Sequence, residues 1–574
     1  MTNQNEPIYG GMKQVLAVSL GLFLVFLDST VVNISLPNIM NDYEINLSVA
    51  SWIINSFVLT LAILLITLGK IADFFGRRKN FLIGVIIFAI SSLLCGMAPT
   101  VEVLIAARVL QGIGGAMIIP TSMMLVRTAV PAEKMGLAMG IWGAVGALAV
   151  AIGPSLGGVV TDFINWRWIF YINVPIIIVA FPFILLAFKG FKDIKSPFKL
   201  DVLGMLVISV ALYFLTYAIL QGEKLGWNST TIYIYFSISI LATLLFIFIE
   251  KRAKVPLVDF SIFNNKHYLG GILSNFLGGI LLMGTLILLP VYLTQVKDFT
   301  TLYASFLITP LSAVMLIVAP IVGRIIDKIG YQVPMLFGYV FTVTGFIFLL
   351  KLTPDTEFPM LITMMSLLGT GLGIIMVTSV TVCTVSVSEK HVSLGSGIFA
   401  TARNLGGALG VSLFVSITLS FLNQYANDIV DNGVARFENS EIPDAVKTVA
   451  IDNLKGKKDS FFEGEQKVED FKVSKEMSDQ FVAMKMEEAL KQKPKTVEVN
   501  ASADLEKKIT AMVNTEIENI EKEVKTIQSN IRNEAQGYIV EAMTKAFWCG
   551  LLLTCLFSLS LIFLRKKHIE EGNV

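Results

Sequence analysis

The chain has 574 residues; 54% are Ala, Val, Ile, Leu, Met, Phe, Trp, Tyr or Cys, only 16% are charged, and mean hydropathy is +0.70. Soluble domains carry about 25% charge and disorder requires low hydrophobicity with high net charge, so both classes are excluded. The net charge of +1 gives no basic bias toward nucleic acid, and four Cys with three His are too few for a disulfide framework or a metal cluster.

The N-terminal MTNQNEPIYGGMK is polar and precedes no short apolar stretch with a small-residue cleavage site, so the first apolar run is expected to be retained. Fourteen runs are long enough to cross a bilayer core of about 30 Å. They fall near 13–36, 51–69, 79–97, 101–125, 136–160, 168–188, 203–221, 231–249, 269–294, 302–323, 334–352, 360–382, 398–421 and 544–564. The runs are continuous rather than alternating, which predicts an all-α polytopic membrane protein and not a barrel. Lys and Arg crowd the N-terminus and every second loop (Lys13; Lys70, Arg77, Arg78, Lys79; Arg127, Lys134; Lys189 to Lys199; Lys251 to Lys266; Arg324, Lys328; Lys390; Arg565 to Lys567). That makes about 21 against about four in the alternate short loops. Both termini are therefore expected in the cytoplasm of a cell that holds the protein in its cytoplasmic membrane.

Residues 422–543 interrupt this pattern. About a third of them are charged, with a net charge of about −7, whereas the rest of the chain is about 11% charged and carries about +8. Following the thirteenth run, this insert is predicted outside the cytoplasm, because long segments translocate largely regardless of their charge. Within it, Val513, Ile517, Ile520, Val524, Ile527 and Ile531 follow a heptad seam. Val468, Phe471, Phe481, Met484 and Leu490 suggest a second helix, with a break near Pro494. The insert reads either as a solvated stalk or as a surface for covering the outer vestibule, docking an envelope partner or self-association.

A repeat groups the helices. Gly69-Lys70-Ile71-Ala72-Asp73-Phe74-Phe75-Gly76 after the second run and Gly323-Arg324-Ile325-Ile326-Asp327-Lys328-Ile329-Gly330 after the tenth both read G-[KR]-I-x-D-x-x-G. An offset of eight helices predicts two six-helix halves separated by two extra helices. The expected organisation is 1–200 for the first half, 201–255 for the inserted pair, 256–421 for the next five helices, 422–543 for the insert and 544–574 for the last helix and tail. Internal repeats of this kind characterise secondary transporters. In each copy Gly permits close approach, Asp suits a helix N-terminus, and Arg77 and Arg78 can bond carboxylates or lipid phosphates. The pair reads as a gate that latches the halves together; the plainer alternative is a positive-inside anchor.

Ionisable residues inside the apolar runs are few and are functional candidates because their burial is costly. Asp28 is the only carboxylate well inside a run; Arg108 lies in the fourth and Arg403 near the start of the thirteenth. Burial opposes ionisation of a carboxyl while a nearby cation favours it. Asp28 facing Arg108 is thus either a site poised to load and release a proton or a fixed buried pair. Arg403 reads as a gate residue or as an anchor snorkelling to the interface. No His lies in a run, so no His relay is expected. Gly143, Gly146, Gly153, Pro154, Gly157 and Gly158 give the fifth run a face for close packing, with a kink expected at Pro154. There is no G-x-x-x-x-G-K-[ST], hence no sign of ATP drive, and no catalytic constellation or cofactor site.

These segments together resemble the major facilitator superfamily, and within it the fourteen-span drug:proton antiporters. Leu27 to Pro37 (LDSTVVNISLP) is similar to that family's first-span motif, Gly69 to Lys79 (GKIADFFGRRK) to the superfamily's signature loop, and Arg108 to Gly115 to its fourth-span motif. Gly153 to Gly158 (GPSLGG) resembles the antiporter motif, although Ala144 stands where a Gly is expected. Trp166 to Pro175 (WRWIFYINVP) resembles a further hallmark. The resemblance implies export by alternating access driven by the proton gradient, with Asp28 and Arg108 in the coupling site and a hinge at the antiporter motif. Later-span carboxylates common in exporters of cationic drugs are missing from the tenth and thirteenth runs, which favours neutral, monocationic or anionic amphiphiles over polycations. A dedicated exporter or flippase of a lipid-like molecule, and a non-transporting receptor or scaffold acting through the insert, are the alternatives.

Overall fold

The structure is a computed structural model and describes residues 11–45, 47–189, 201–253, 256–388, 391–456 and 499–564. Among these residues it is helical throughout, with no β-strand and with fourteen helices long and apolar enough to cross a membrane. They are α1 (Met12–Tyr43), α2 (Leu47–Phe75), α3 (Arg77–Met97), α4 (Val101–Ala129), α5 (Met135–Phe163), α6 (Trp168–Ala187, with a break at Ile172), α7 (Val202–Leu225), α8 (Thr230–Arg252), α9 (Lys266–Val291), α10 (Thr301–Ile329), α11 (Gln332–Leu349), α12 (Phe358–Val385) and α13 (Val392–Glu438), with the fourteenth span in Thr510–Leu564. Two further elements are α14 (Asp444–Gly456) and α15 (Val499–Phe557), the latter carrying most of the last span.

The chain forms two compact units, one of Met1–Ser416 with Thr544–Val574 and one of Ile417–Met543. In the first, large apolar side chains are commonly exposed (Ile178, Val179, Leu241, Ile317), as expected of helices whose outer faces meet lipid rather than water. Small residues let the inner faces close: a Cβ on Gly112 would lie 2.7 Å from Thr60 Cβ of α2, and one on Gly114 would lie 2.9 Å from backbone atoms of α3. Helices α7 and α8 pair with each other, and Asp201 starts α7 by accepting from Gly204 N at 2.8 Å. This pair rests on α2 and α13 through Trp52 on Tyr217, with ring centroids 5.7 Å apart. Trp227 Nε1 donates to Ser416 at 2.8 Å, and Ser412 Oγ donates to the carbonyl of Ile219 at 2.9 Å.

In the second unit the heptad seam packs as a face. Val513, Ile520, Val524, Ile527 and Ile531 are buried and Ile517 partly so. The core around this seam contains Ile429 and Phe437 of α13, Ile442, and Val446 and Ala450 of α14. Helix α13 continues past 421, where hydropathy ends the run, because the polar stretch to Glu438 holds no proline and only one glycine. At that glycine, Gly433, a Cβ would meet Leu454 Cδ2 at 2.6 Å and Ile531 Cδ1 at 3.0 Å. Arg436 and Asn432 both bond Glu534 at 2.7 Å, and Tyr425 stacks on Tyr538 with centroids 4.6 Å apart. The series Val468 to Leu490 and Pro494 lies outside the described residues, as do Lys192, Lys195, Lys199, Lys254, Lys390 and Arg565 to Lys567.

Candidate functional site

Asp28 and Arg108, brought together from α1 and α4, form a buried ion pair, with side chains 0% and 1% exposed. Arg108 Nη1 donates to Asp28 Oδ2 and also to Gln111 Oε1 at 2.7 Å, while Nε donates to the carbonyl of Ile53 at 3.0 Å. The other carboxylate oxygen accepts from Gln111 Nε2 at 2.8 Å and from Asn173 Nδ2 at 3.2 Å. Ser92 of α3 accepts from the same two amides at 2.8 and 3.3 Å. The guanidinium lies 4.2 Å from the centroid of Phe57 and 5.8 Å from that of Phe170. Gln111 and Asn173 belong to segments singled out in the sequence, but neither amide's role is legible there; the available signal was a polar amide inside an otherwise apolar run.

The glycine face of α5 is pressed against the turn of α1 that carries Asp28. A Cβ on Gly153 would overlap Thr30 Oγ1 and lie 2.9 Å from Thr30 Cβ, and one on Gly157 would lie 2.7 Å from the carbonyl oxygen of Val31. Gly158 faces Ile34 and Leu302, and Pro154 sits within α5, which runs as helix through it. Gly146 faces Phe26 and Gly143 faces Val377. Gly153→Ala should therefore destabilise the packing of α5 on α1 by about 1–3 kcal/mol, and Thr30→Ala in the same chain should restore part of it. Thermal unfolding in mild detergent checks this; equal stability of Gly153→Ala and wild type would show that the contact does not matter.

At one end of the bundle Trp166 and Arg167 tie α1, α3 and α6 together. Arg167 Nη1 bonds Asp42 at 2.6 Å, Trp166 Nε1 bonds the same oxygen at 3.2 Å, and Tyr43 donates to the carbonyl of Ala98 at 2.7 Å. The hydrogen bond from Arg167 is the main reason the Asp42 carboxyl is held below the usual carboxylate range. A carboxyl lowered by folding stabilises the fold above its unfolded value, and that contribution disappears as pH falls through the folded value. The pair is partly exposed, so Arg167→Ala should cost only about 0.2–1 kcal/mol at neutral pH. The difference from wild type should shrink as pH falls below the ordinary Asp value of about 3.9 and through the lowered folded value; thermal unfolding across pH measures it.

The opposite end, which carries most of the described Lys and Arg loops, is closed by contacts that each repeat copy makes with the other half. Asp327 accepts from Gly136 N at 2.7 Å and Leu137 N at 3.0 Å, satisfying free amides at the N-terminus of α5. A Cβ on Gly323 would fall on the Gly136 carbonyl, 2.8 Å from its carbon and 3.0 Å from Leu137 Cα. Arg127 Nη1 donates to the carbonyl of Thr384. In the first copy the bond is different: the Gly69 carbonyl accepts from Ser393 Oγ of α13, while Asp73 pairs with Arg77 at 3.4 Å. Gly76 and Gly330 end the two copies with φ of 98° and 78°, a conformation that favours glycine. Arg78 is partly buried and Arg324 exposed.

Arg403 departs from the snorkelling reading. Helix α13 starts at Val392, earlier than hydropathy indicates, which places Arg403 about three turns into the helix. It lines a cavity of about 20 Å³, room for about one water in this state, between the halves together with Trp142, Asn275, Met315, Met376 and Phe399. Its guanidinium lies 4.6 Å from the centroid of Phe26.

A family model described as Major Facilitator Superfamily matches residues 18–411. The chain is 30% identical over 410 residues to the multidrug resistance protein Stp of Mycobacterium tuberculosis, covering 71% of this chain and 76% of that one. It is 30% identical over 399 residues to the tetracenomycin C resistance and export protein of Streptomyces glaucescens, covering 70% and 74%. The crystal structure of the human organic anion transporter MFSD10 superposes with a TM-score of 0.51 at 16% identity, over 71% of this chain and 93% of that one, a likeness of fold alone. The helical bundle, its fourteen candidate spans and these matches place the chain in the major facilitator superfamily, as a multi-pass membrane transporter of small molecules and not an enzyme, with multidrug resistance and export proteins among its relatives.

Proposed function

We propose that the protein is a proton-coupled exporter of amphiphilic compounds that works by alternating access. The observation that carries this is Asp28: a carboxylate wholly withdrawn from solvent in an apolar bundle, held by Arg108, Gln111 and Asn173. Protonating it would weaken its tie to Arg108 and loosen α1 from α4. Helix α5, locked at Gly153 and Gly157 to the turn of α1 that carries Asp28, would carry that movement to Gly136, where the second half is attached. The relation to resistance and export proteins supports outward transport of drugs or toxic compounds. Lys and Arg in alternate loops support an arrangement with both termini and the Asp73 and Asp327 loops cytoplasmic, and residues 422–543 outside. The proton gradient would be the energy source, with no bound cofactor.

The test uses inverted membrane vesicles, a panel of fluorescent amphiphiles and an imposed pH gradient. Wild type should accumulate at least one probe and collapse part of the gradient. Asp28→Asn, present in the membrane in equal amount, should lose both responses. Normal gradient-driven export by Asp28→Asn would overturn the assignment.

A further inference from the structure

Among the described residues Arg403 is a charged group with no counter-ion. Among the described residues no carboxylate lies within ion-pair distance of it, and its guanidinium has no hydrogen-bond acceptor there. Its side chain is partly exposed and lines the cavity. The only described partner is the ring of Phe26. Asp28 cannot serve, because it lies two residues beyond Phe26, about 200° around α1, and is occupied by Arg108, Gln111 and Asn173. An unpaired cation in such a place is costly, and the cost is removed when an anion joins it.

The rest of the cavity specifies what accompanies that anion. Trp142 spends its Nε1 on Ser122 at 3.0 Å and offers only ring surface, and Asn275 donates to the carbonyl of Phe399 at 2.8 Å. Met315, Met376 and Phe399 complete walls that can adapt to varied apolar shapes. No described lining residue is acidic.

We propose that, when the space between the halves widens to admit a substrate, Arg403 selects amphiphiles bearing an acidic group, such as a carboxylate, sulfonate or phosphate monoester, next to an apolar or aromatic body. The planar fork of the guanidinium suits two oxygens of one anion. This deepens the transport reading and rests on it for its physiological meaning.

Binding at equilibrium tests the proposal without any proton gradient. Purified full-length protein in lipid nanodiscs is titrated with 11-(dansylamino)undecanoic acid and with its methyl ester, each corrected against empty nanodiscs. Wild type should bind the acid at least tenfold more tightly than the ester. Arg403→Gln should bring the acid down to the affinity of the ester and leave the ester unchanged, and Arg403→Lys should lie between. Equal wild-type affinity for acid and ester, or an undiminished preference in Arg403→Gln, would overturn the proposal. If Arg403→Gln does not fold, the wild-type ratio and Arg403→Lys decide the matter. Failure of proton coupling is read separately, from gradient-driven export by Asp28→Asn.

Discussion

Arg108→Ala should destabilise the protein by about 3–5 kcal/mol, the scale for breaking one side of a buried ion pair. The loss is large because Asp28 would remain 0% exposed without its cation, while the carbonyl of Ile53 would lose its donor. Adding Asp28→Asn to that variant should recover a good part of the loss, since it removes the stranded charge but not the vacancy over Phe57. Arg108→Lys should fall between, because one ammonium cannot reproduce a fork that reaches Asp28, Gln111 and Ile53 together. Thermal unfolding in lipid or mild detergent gives the three values. If single and double variants are equally unstable, the charge pair is not what holds α1 to α4.

Gly323→Ala should act on conformation rather than on folding. The added Cβ would press on backbone atoms of Gly136 and Leu137, which no rotamer change can move aside. Overpacking costs about 1–3 kcal/mol, and each 1.4 kcal/mol shifts a population about tenfold. The state closed at the Asp327 end should thus lose roughly one to two orders of magnitude in population. A single cysteine at Met376, which lines the cavity, reports this in a chain otherwise free of cysteine. Its labelling by a membrane-impermeant thiol reagent applied from the side of the Asp327 loop should rise in Gly323→Ala. Unchanged labelling would show that this contact does not control access.

Much of the scaffold was legible in the sequence for a simple reason. A bilayer forces every backbone group of a span to be satisfied within its own helix, so length and hydropathy alone locate the helices. The repeat of G-[KR]-I-x-D-x-x-G located matched loops, and the structure gives both copies a closing glycine of positive φ. The two copies nevertheless bond differently. Asp327 caps α5, whereas at Gly69 a carbonyl meets Ser393 and Asp73 stays with Arg77. Sequence similarity specifies a loop's own backbone but not which neighbouring helix end comes within reach.

The site shows the same division. Asp28, Arg108 and Arg403 could be singled out from the sequence because an ionisable residue in an apolar run has no ordinary reason to be there. Whether each is paired could not be read, because pairing depends on helix rotation and on residues up to 145 positions apart, as for Asn173 and Asp28. Helix α13 begins before its apolar run does, and this displacement moved Arg403 from an expected interface position into the cavity. By itself, then, the sequence determined the class, the spans, the repeat and the short set of charged residues within the spans, all of which follow from local hydropathy and spacing. Only the tertiary structure decided that two of those charges neutralise each other inside one half while the third lines the cavity with no counter-ion among the described residues, because that is set by which faces of distant helices meet.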